Sequence, residues 1–409
     1  MRSLSVVAMC LLAIGACLQS PETGQSDDRA DRNDTGTEIS RIWPGETWPV
    51  ASSELRARNK ALIEGIDELL GSGSYGNVDR FLLIHKGYLL ADLSYQHDYQ
   101  AVNEGREASD DPYSYYNPDW HPFYKGTPLH TVQSITKNVT AAAIGVAIQR
   151  KEMPSLDTRV VDYLSGFEVQ NDDELKRSIT IEDLLTMRVG MDWNEESTSY
   201  NDPNNISTRM ERVDDWDQFV LDQPMLQQPG TAFTYNSGAS QLLSRILEEA
   251  TGVRVEEYVE ELLFEPLGIK AYYWKKTPGG RADTVAGLYL ETEDLARIGY
   301  LYLRDGVWNE KQLLAPGWVQ RWKQSPTRGI FAETLPWQAG YGYQWWTFCS
   351  DPQLPCEVIA GIGWGGQLLL VYPQRDLLAV FNSWNIYEAE LPSLSALFLD
   401  KIIPDIDLE

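Results

Sequence analysis

Apolar positions recur at helical spacing over Asn59–Leu70, with Leu62, Ile66, Leu69 and Leu70 on one side. The pattern then alternates, which predicts strands over Asp79–His85 and Tyr88–Tyr95, joined as a hairpin by Lys86-Gly87. Ser134–Arg150 reads as a strong helix, apolar at Ile135, Val139, Ala142, Ala143 and Val146. Shorter helical patterns follow at Ile181–Met187, Trp216–Leu221, Gln241–Ala250 and Val255–Leu263. Strand patterns return at Tyr343–Phe348, Glu357–Ile362, Gln367–Tyr372 and Leu377–Asn382, the last two joined by a turn at Pro373–Asp376. A final helix is expected over Ala389–Lys401. Strands at both ends with helices between them predict an α/β (α+β) fold. Its mixed antiparallel sheet is formed by N- and C-terminal strands, flanked by helices, and carries a largely helical insertion. The expected division puts residues 41–150 and 285–409 in the α/β body and 151–284 in the insertion.

The first forty residues follow another logic. Arg2 precedes an apolar core, Leu4–Ile14, which is too short to span a bilayer as a helix. Ile14-Gly15-Ala16-Cys17 resembles the bacterial lipobox, so residues 1–16 are expected to be a lipoprotein signal peptide and Cys17 the lipidated residue. The alternative is ordinary cleavage after Ala16 with Cys17 incidental. Leu18 in place of Asp resembles sorting to the outer membrane. Residues 17–40 then form a polar tether without apolar periodicity, and membrane contact is expected through the anchor only.

Composition narrows the partners. With 60 Asp+Glu against 34 Lys+Arg the net charge is −26, which repels phosphate backbones and excludes nucleic acid as a primary partner. Hydrophobic content of 43% is that of a folded chain. After loss of Cys10 and modification of Cys17, Cys349 and Cys356 remain, separated by a turn-like spacer. Export into an oxidising compartment favours a disulfide between them over two free thiols. No histidine lies near them, so no metal site is expected, and nothing calls for a cofactor. Oligomeric state is not written in the sequence.

Gly71-Ser72-Gly73-Ser74-Tyr75-Gly76 spells a dinucleotide fingerprint, yet it follows a helix and precedes a strand, the reverse of the required order. Ser134-Ile135-Thr136-Lys137 opens the strong helix, which places Lys137 one turn from Ser134 on the same face. A serine hydroxyl becomes nucleophilic only when a base takes its proton, and a lysine away from water near the positive helix end is suited to that duty. The helix N-terminus also offers N–H groups to an oxyanion. By itself the motif fits equally an N-cap serine followed by a solvated lysine.

Further stretches narrow the choice. Ile179-Thr180-Ile181-Glu182-Asp183-Leu184-Leu185-Thr186-Met187 with Gly190, Asp192-Trp193 and Glu195 resembles the serine β-lactamase/penicillin-recognising superfamily. So do Pro229–Ser237, Leu263–Ile269 and Gly363–Gln367, in that superfamily's order. Within it the chain looks most similar to class C-related, family VIII-type esterases and 6-aminohexanoate-dimer hydrolases. The resemblance implies a β-lactamase/transpeptidase-like fold, Ser134 as acylated nucleophile, Lys137 as its base and Tyr235 as proton relay. It places Trp364-Gly365-Gly366 where β-lactamases carry Lys-Thr-Gly, and pairs the backbone N–H groups of Ser134 and Gln367 as oxyanion hole. Trp364, Gly365, Gly366 and Ser237 would contact substrate.

Two departures bear on substrate. Ser237 replaces the family asparagine, and Trp364 replaces a residue that helps seat a substrate carboxylate. An indole cannot pair with a carboxylate, which favours neutral esters or small amides over β-lactams. The expectation is a lipid-anchored serine hydrolase of the carboxylesterase or amidase type, working through an acyl-enzyme on small molecules. A D,D-peptidase or β-lactamase on the same residues is the first alternative, and a non-catalytic envelope binding protein the second.

Overall fold

The computed structural model describes residues 41–102, 121–153, 155–164, 166–200, 202–324, 327–330, 337–351, 353–386 and 391–409. The signal peptide, the tether, Cys17, most of the aromatic stretch after Pro112 and the first residues of the expected final helix lie outside them.

Eight strands form the main sheet: β1 (Val78–His85), β2 (Tyr88–Ser94), β3 (Thr327–Ile330), β4 (Gln338–Gly342), β5 (Trp345–Cys349), β6 (Val358–Gly363), β7 (Gln367–Tyr372) and β8 (Leu377–Ser383). Their order is β2-β1-β8-β7-β6-β5-β4-β3, with every neighbouring pair antiparallel. The two ends of the chain meet at the β1–β8 ladder, where Phe81 faces Phe381 with ring centroids 4.6 Å apart. Lys86 and Gly87 both take positive φ, the backbone a two-residue hairpin needs, which is why this dipeptide marks the β1–β2 turn.

Successive side chains on a strand point to opposite faces, and here both faces are covered. Leu82, Ile84, Ile359, Leu369, Val371, Leu378 and Val380 enter one core. Phe81, Leu83, Val358, Ala360, Leu368, Leu370, Ala379 and Phe381 enter the other. The second core is closed by α1 (Lys60–Gly71), through Ile66 and Leu70, and by the C-terminal helical run Leu394–Asp405. The first is closed by α2 (Thr136–Arg150), by α3 (Ser237–Thr251) and by α4 (Thr292–Leu303). A short second sheet, ordered His130–Thr131, Leu288–Leu290, Tyr272–Trp274, lies beside the start of α2.

Several boundaries differ from the sequence expectation, for physical reasons. The strand expected from Tyr343 begins at Trp345, because Tyr343 and Gln344 take φ of 53° and 65° and make the turn from β4. Buried Gln344 then ties three elements: its Nε2 donates to Leu184 O, its Oε1 accepts from Ser240 Oγ, and its carbonyl accepts from Asn138 Nδ2. The helix expected from Gln241 starts at Ser237, where the Asn236 side chain accepts from Ala239 N. A disulfide joins Cys349, at the end of β5, to Cys356, just before β6.

No helix was expected at α4. Its faces are buried almost all round, and Gly299 sits where the helix meets the sheet. A Cβ built on Gly299 would lie 2.5 Å from Leu378 Cδ1 and 2.6 Å from Leu369 Cδ1. Gly299→Val is therefore expected to cost about 1–3 kcal/mol by overpacking, read as a lowered midpoint of thermal unfolding.

Candidate active site

From Leu129 to Ala147 every residue is buried except Ser134. It lies on a 3₁₀ turn, Gln133–Ile135, that leads directly into α2. Gln133 holds φ at +49°, a conformation that disfavours a side chain and is sustained by its surroundings. Those surroundings are specific. Thr136 Oγ1 donates to Gln133 O at 2.7 Å and accepts from Leu288 N at 3.1 Å, so the turn is pinned to the second sheet.

Lys137, 1% exposed, donates from Nζ to Ser134 Oγ at 3.0 Å and to Val285 O at 2.9 Å. Burial disfavours its charged form and pulls its pKa down to about 8, against the opposing charges of Glu195, Asp283 and Glu211. Tyr235 completes the group. Its ring centroid lies 5.3 Å from Lys137 Nζ, it stacks on Trp346 at 5.8 Å, and the Ser134 hydroxyl acts on its phenol. Burial first, then the charge of Glu195, raises the Tyr235 phenol well above the ordinary range. The structure thus brings Ser134, Lys137 and Tyr235 together, the lysine and the tyrosine buried. One member has a basicity suited to neutral or mildly alkaline pH, and another keeps its proton.

The other residues singled out in the sequence divide. Ser237 lies next to the group, but its hydroxyl donates to Glu195 Oε1 at 2.7 Å. Trp364 donates its indole N–H to Ile386 O at 3.1 Å and sets its ring edge-on to Tyr200, with centroids 4.9 Å apart. Gly365 and Gly366, both at positive φ, pack toward Asn385 and Ser383 and not toward the Ser134 turn. Gln367 sits across the β6–β7 hairpin from Gly363, its side chain bonded to Ser383 and Asn382.

The backbone that reaches the serine turn is the end of β6. A Cβ on Gly363 would lie 2.5 Å from Val132 O and 3.0 Å from Gln133 Cβ, and one on Gly361 would meet Asn138 Oδ1 at 2.8 Å. Only glycine permits this approach. The end of β6 is thus the backbone that reaches the serine turn, and Gln367 lies directly across the hairpin from it.

Glu195 was part of a matched stretch in the sequence but carried no role there. It is fully buried and receives Trp193 Nε1 at 2.5 Å, Ser237 N at 2.9 Å, Ser237 Oγ at 2.7 Å and Tyr200 OH at 3.0 Å. A buried acidic residue two positions after an indole was the only available hint. Among the described residues, no group of three or more His, Cys, Asp or Glu side chains is placed to hold a metal ion.

Burying Lys137 costs stability. A fall from 10.5 to about 8 means that the unfolded chain binds a proton the folded one has released between those values, so stability rises with pH across that window. Below pH 8 the penalty is fully present, roughly 3 kcal/mol at about 1.36 kcal/mol per pH unit. Lys137→Met is expected to raise the unfolding midpoint at pH 7, less about 1 kcal/mol for the bond lost at Val285 O, with the gain vanishing at about pH 9.5 and reversed by 10.5. Thermal unfolding of both proteins across that range checks it.

The chain is 25% identical over 284 residues to the 6-aminohexanoate-dimer hydrolase of Paenarthrobacter ureafaciens, spanning 62% of this chain and 66%, just under two thirds, of that relative. It is 30% identical over 152 residues to Esterase EstB of Burkholderia gladioli, 35% of this chain and 37% of the esterase. Among solved structures, EstCE1, described as a hydrolase with promiscuous acyltransferase activity, superposes with a TM-score of 0.65 at 14% identity, covering 87% of this chain and all of that one, a likeness of fold. The Beta-lactamase family model matches residues 99–385, a range running from before Ser134 to beyond Gln367, and the chain belongs to that family.

Proposed function

We propose that the protein is a serine hydrolase that cleaves neutral esters or small amides through an acyl-enzyme at Ser134. The observation that carries this is the 3.0 Å bond from buried Lys137 Nζ to Ser134 Oγ, with the buried Tyr235 ring 5.3 Å from the same Nζ. In this reading unprotonated Lys137 takes the Ser134 proton as Oγ attacks the carbonyl. The oxyanion is held by the Ser134 N–H and a backbone N–H from the end of β6. The proton passes through Tyr235 to the departing alcohol or amine, leaving an ester on Ser134. Water then enters, gives its proton to the same pair, attacks the acyl carbon and regenerates Ser134 with release of the acid.

The walls favour a neutral substrate. Trp364 carries no charge, its only N–H is engaged by Ile386 O, and Tyr200 sets a second ring against it. Relatives named as a 6-aminohexanoate-dimer hydrolase and an esterase support this choice. Attachment to the bacterial envelope through a lipid on Cys17, facing periplasm or exterior, belongs to the same proposal and rests on the Gly15-Ala16-Cys17 sequence. Incorporation of labelled palmitate by the full chain and not by Cys17→Ser tests it.

Hydrolysis of p-nitrophenyl butyrate and of nitrocefin, measured side by side on protein beginning at Ile39, tests the activity. Ester turnover is expected, abolished in Ser134→Ala, with nitrocefin untouched. Rapid nitrocefin cleavage would establish the β-lactamase alternative, and undiminished turnover in Ser134→Ala would overturn the nucleophile. Because Lys137 acts as the unprotonated base, kcat/KM is expected to rise with pH through about 8.

A further inference from the structure

Four hydrogen-bond donors converge on one buried side chain, and none of them belongs to the Ser134, Lys137 and Tyr235 group. Trp193 Nε1 and Ser237 N donate to Glu195 Oε2, while Ser237 Oγ and Tyr200 OH donate to Glu195 Oε1. A carboxylate accepts four such bonds, and a protonated acid would have to place its own hydrogen among them. Ser237 N is also the first N–H of α3, a helix of 15 residues, so the positive end of that helix faces the carboxylate. The loop is held in turn by Asn205, whose Nδ2 donates to Glu195 O at 2.8 Å. All of this sustains a negative charge where burial would otherwise expel one.

That charge has two targets. Toward Lys137 it acts with Asp283, whose Oδ1 accepts from Val285 N and Ala286 N and whose Oδ2 lies 3.6 Å from Lys275 Nζ, and with Glu211 at the end of helix Ile206–Glu211. Glu195 is the largest of the three. Toward Tyr235 it acts with Glu196, the next residue, against the bond from Ser134. Ser237 stands where the family asparagine would present a neutral amide, and here its hydroxyl is spent on Glu195.

We propose that Glu195 is a positioning residue, which through Ser237 and Tyr200 fixes a negative charge behind Lys137 and Tyr235 and so decides how the catalytic proton is distributed between them. The proposal rests on the serine-hydrolase reading above. Without this charge the dry site would strip Lys137 of its proton at lower pH and weaken the hold of Tyr235 on its own. The base would then be free earlier in a titration but weaker as a base.

The test compares Glu195→Gln, Glu195→Asp and Ser237→Ala in two measurements. In the pH profile of kcat/KM for p-nitrophenyl butyrate, Glu195→Gln is expected to move the acid limb down by about one pH unit or more. Glu195→Asp and Ser237→Ala keep the charge and are expected to leave the limb in place or move it up. In a Ser134→Ala background, which turns over nothing, carbon-13 NMR of lysine-labelled protein reads the Lys137 titration directly, with Lys137→Arg giving the assignment. The same downward shift is expected there. An unmoved Lys137 titration in folded Glu195→Gln overturns the proposal, whereas a shifted titration in a protein that never hydrolyses esters leaves it standing and overturns the function instead. If Glu195→Gln does not fold, Ser237→Ala decides. A downward shift in that variant means that the hydroxyl, not the charge, sets Lys137, and overturns the proposal.

Discussion

An ammonium group closed off from water has to be answered by its surroundings, and much of the molecule is arranged around the one on Lys137. The side chain extends from the first turn of α2 into an interior where its partners are one hydroxyl and one carbonyl. A desolvated cation with so few partners is poised to lose its proton, which makes it a base and also a weak point in the fold. Val285 O, the pinned turn at Gln133 and the ring of Tyr235 all serve to keep that lysine in a place where it would not otherwise settle.

The glycines at the end of β6 express a second constraint. A second backbone segment comes close to the serine turn, and side chains at 361 and 363 would hold it off. The sheet therefore narrows to bare backbone at the point where it meets the serine turn. Bulky aromatic residues stand just beyond, at Trp364, Tyr200 and Trp346, so the surroundings are tight in one direction and apolar in the other. Shape and polarity thus come from elements far apart in sequence, each locally ordinary.

The sequence made the serine, its lysine and the tyrosine legible because each sits in a short stretch of fixed spacing, and helical periodicity puts Ser134 and Lys137 on one face without further information. The eight strands were only partly legible. The outer pair, β3 and β4, carry too little alternation. Glu195 could not have been assigned a role from its neighbours. Its meaning lies in donors that arrive from residues 193, 200 and 237, and that convergence exists only in three dimensions. The part played by Trp364-Gly365-Gly366 was not legible in detail for a related reason. A motif fixes which residues are near one another in the chain, not which of the glycines faces the serine.

The ladder between β1 and β8 fixes when, as well as where, the site comes into being. Partners such as Phe81 and Phe381 are separated by three quarters of the chain, and the strands that flank the serine turn insert between that ladder and the sheet edge. Contacts of such long range close late, because the entropy of the intervening loop must be overcome before any pairing rewards it. A chain still being delivered from its N-terminus holds Ser134 and Lys137 on a helix with no β6 to complete them. The backbone that approaches the serine turn therefore belongs to the far end of the chain, and a polypeptide that stops short of β6 lacks it altogether.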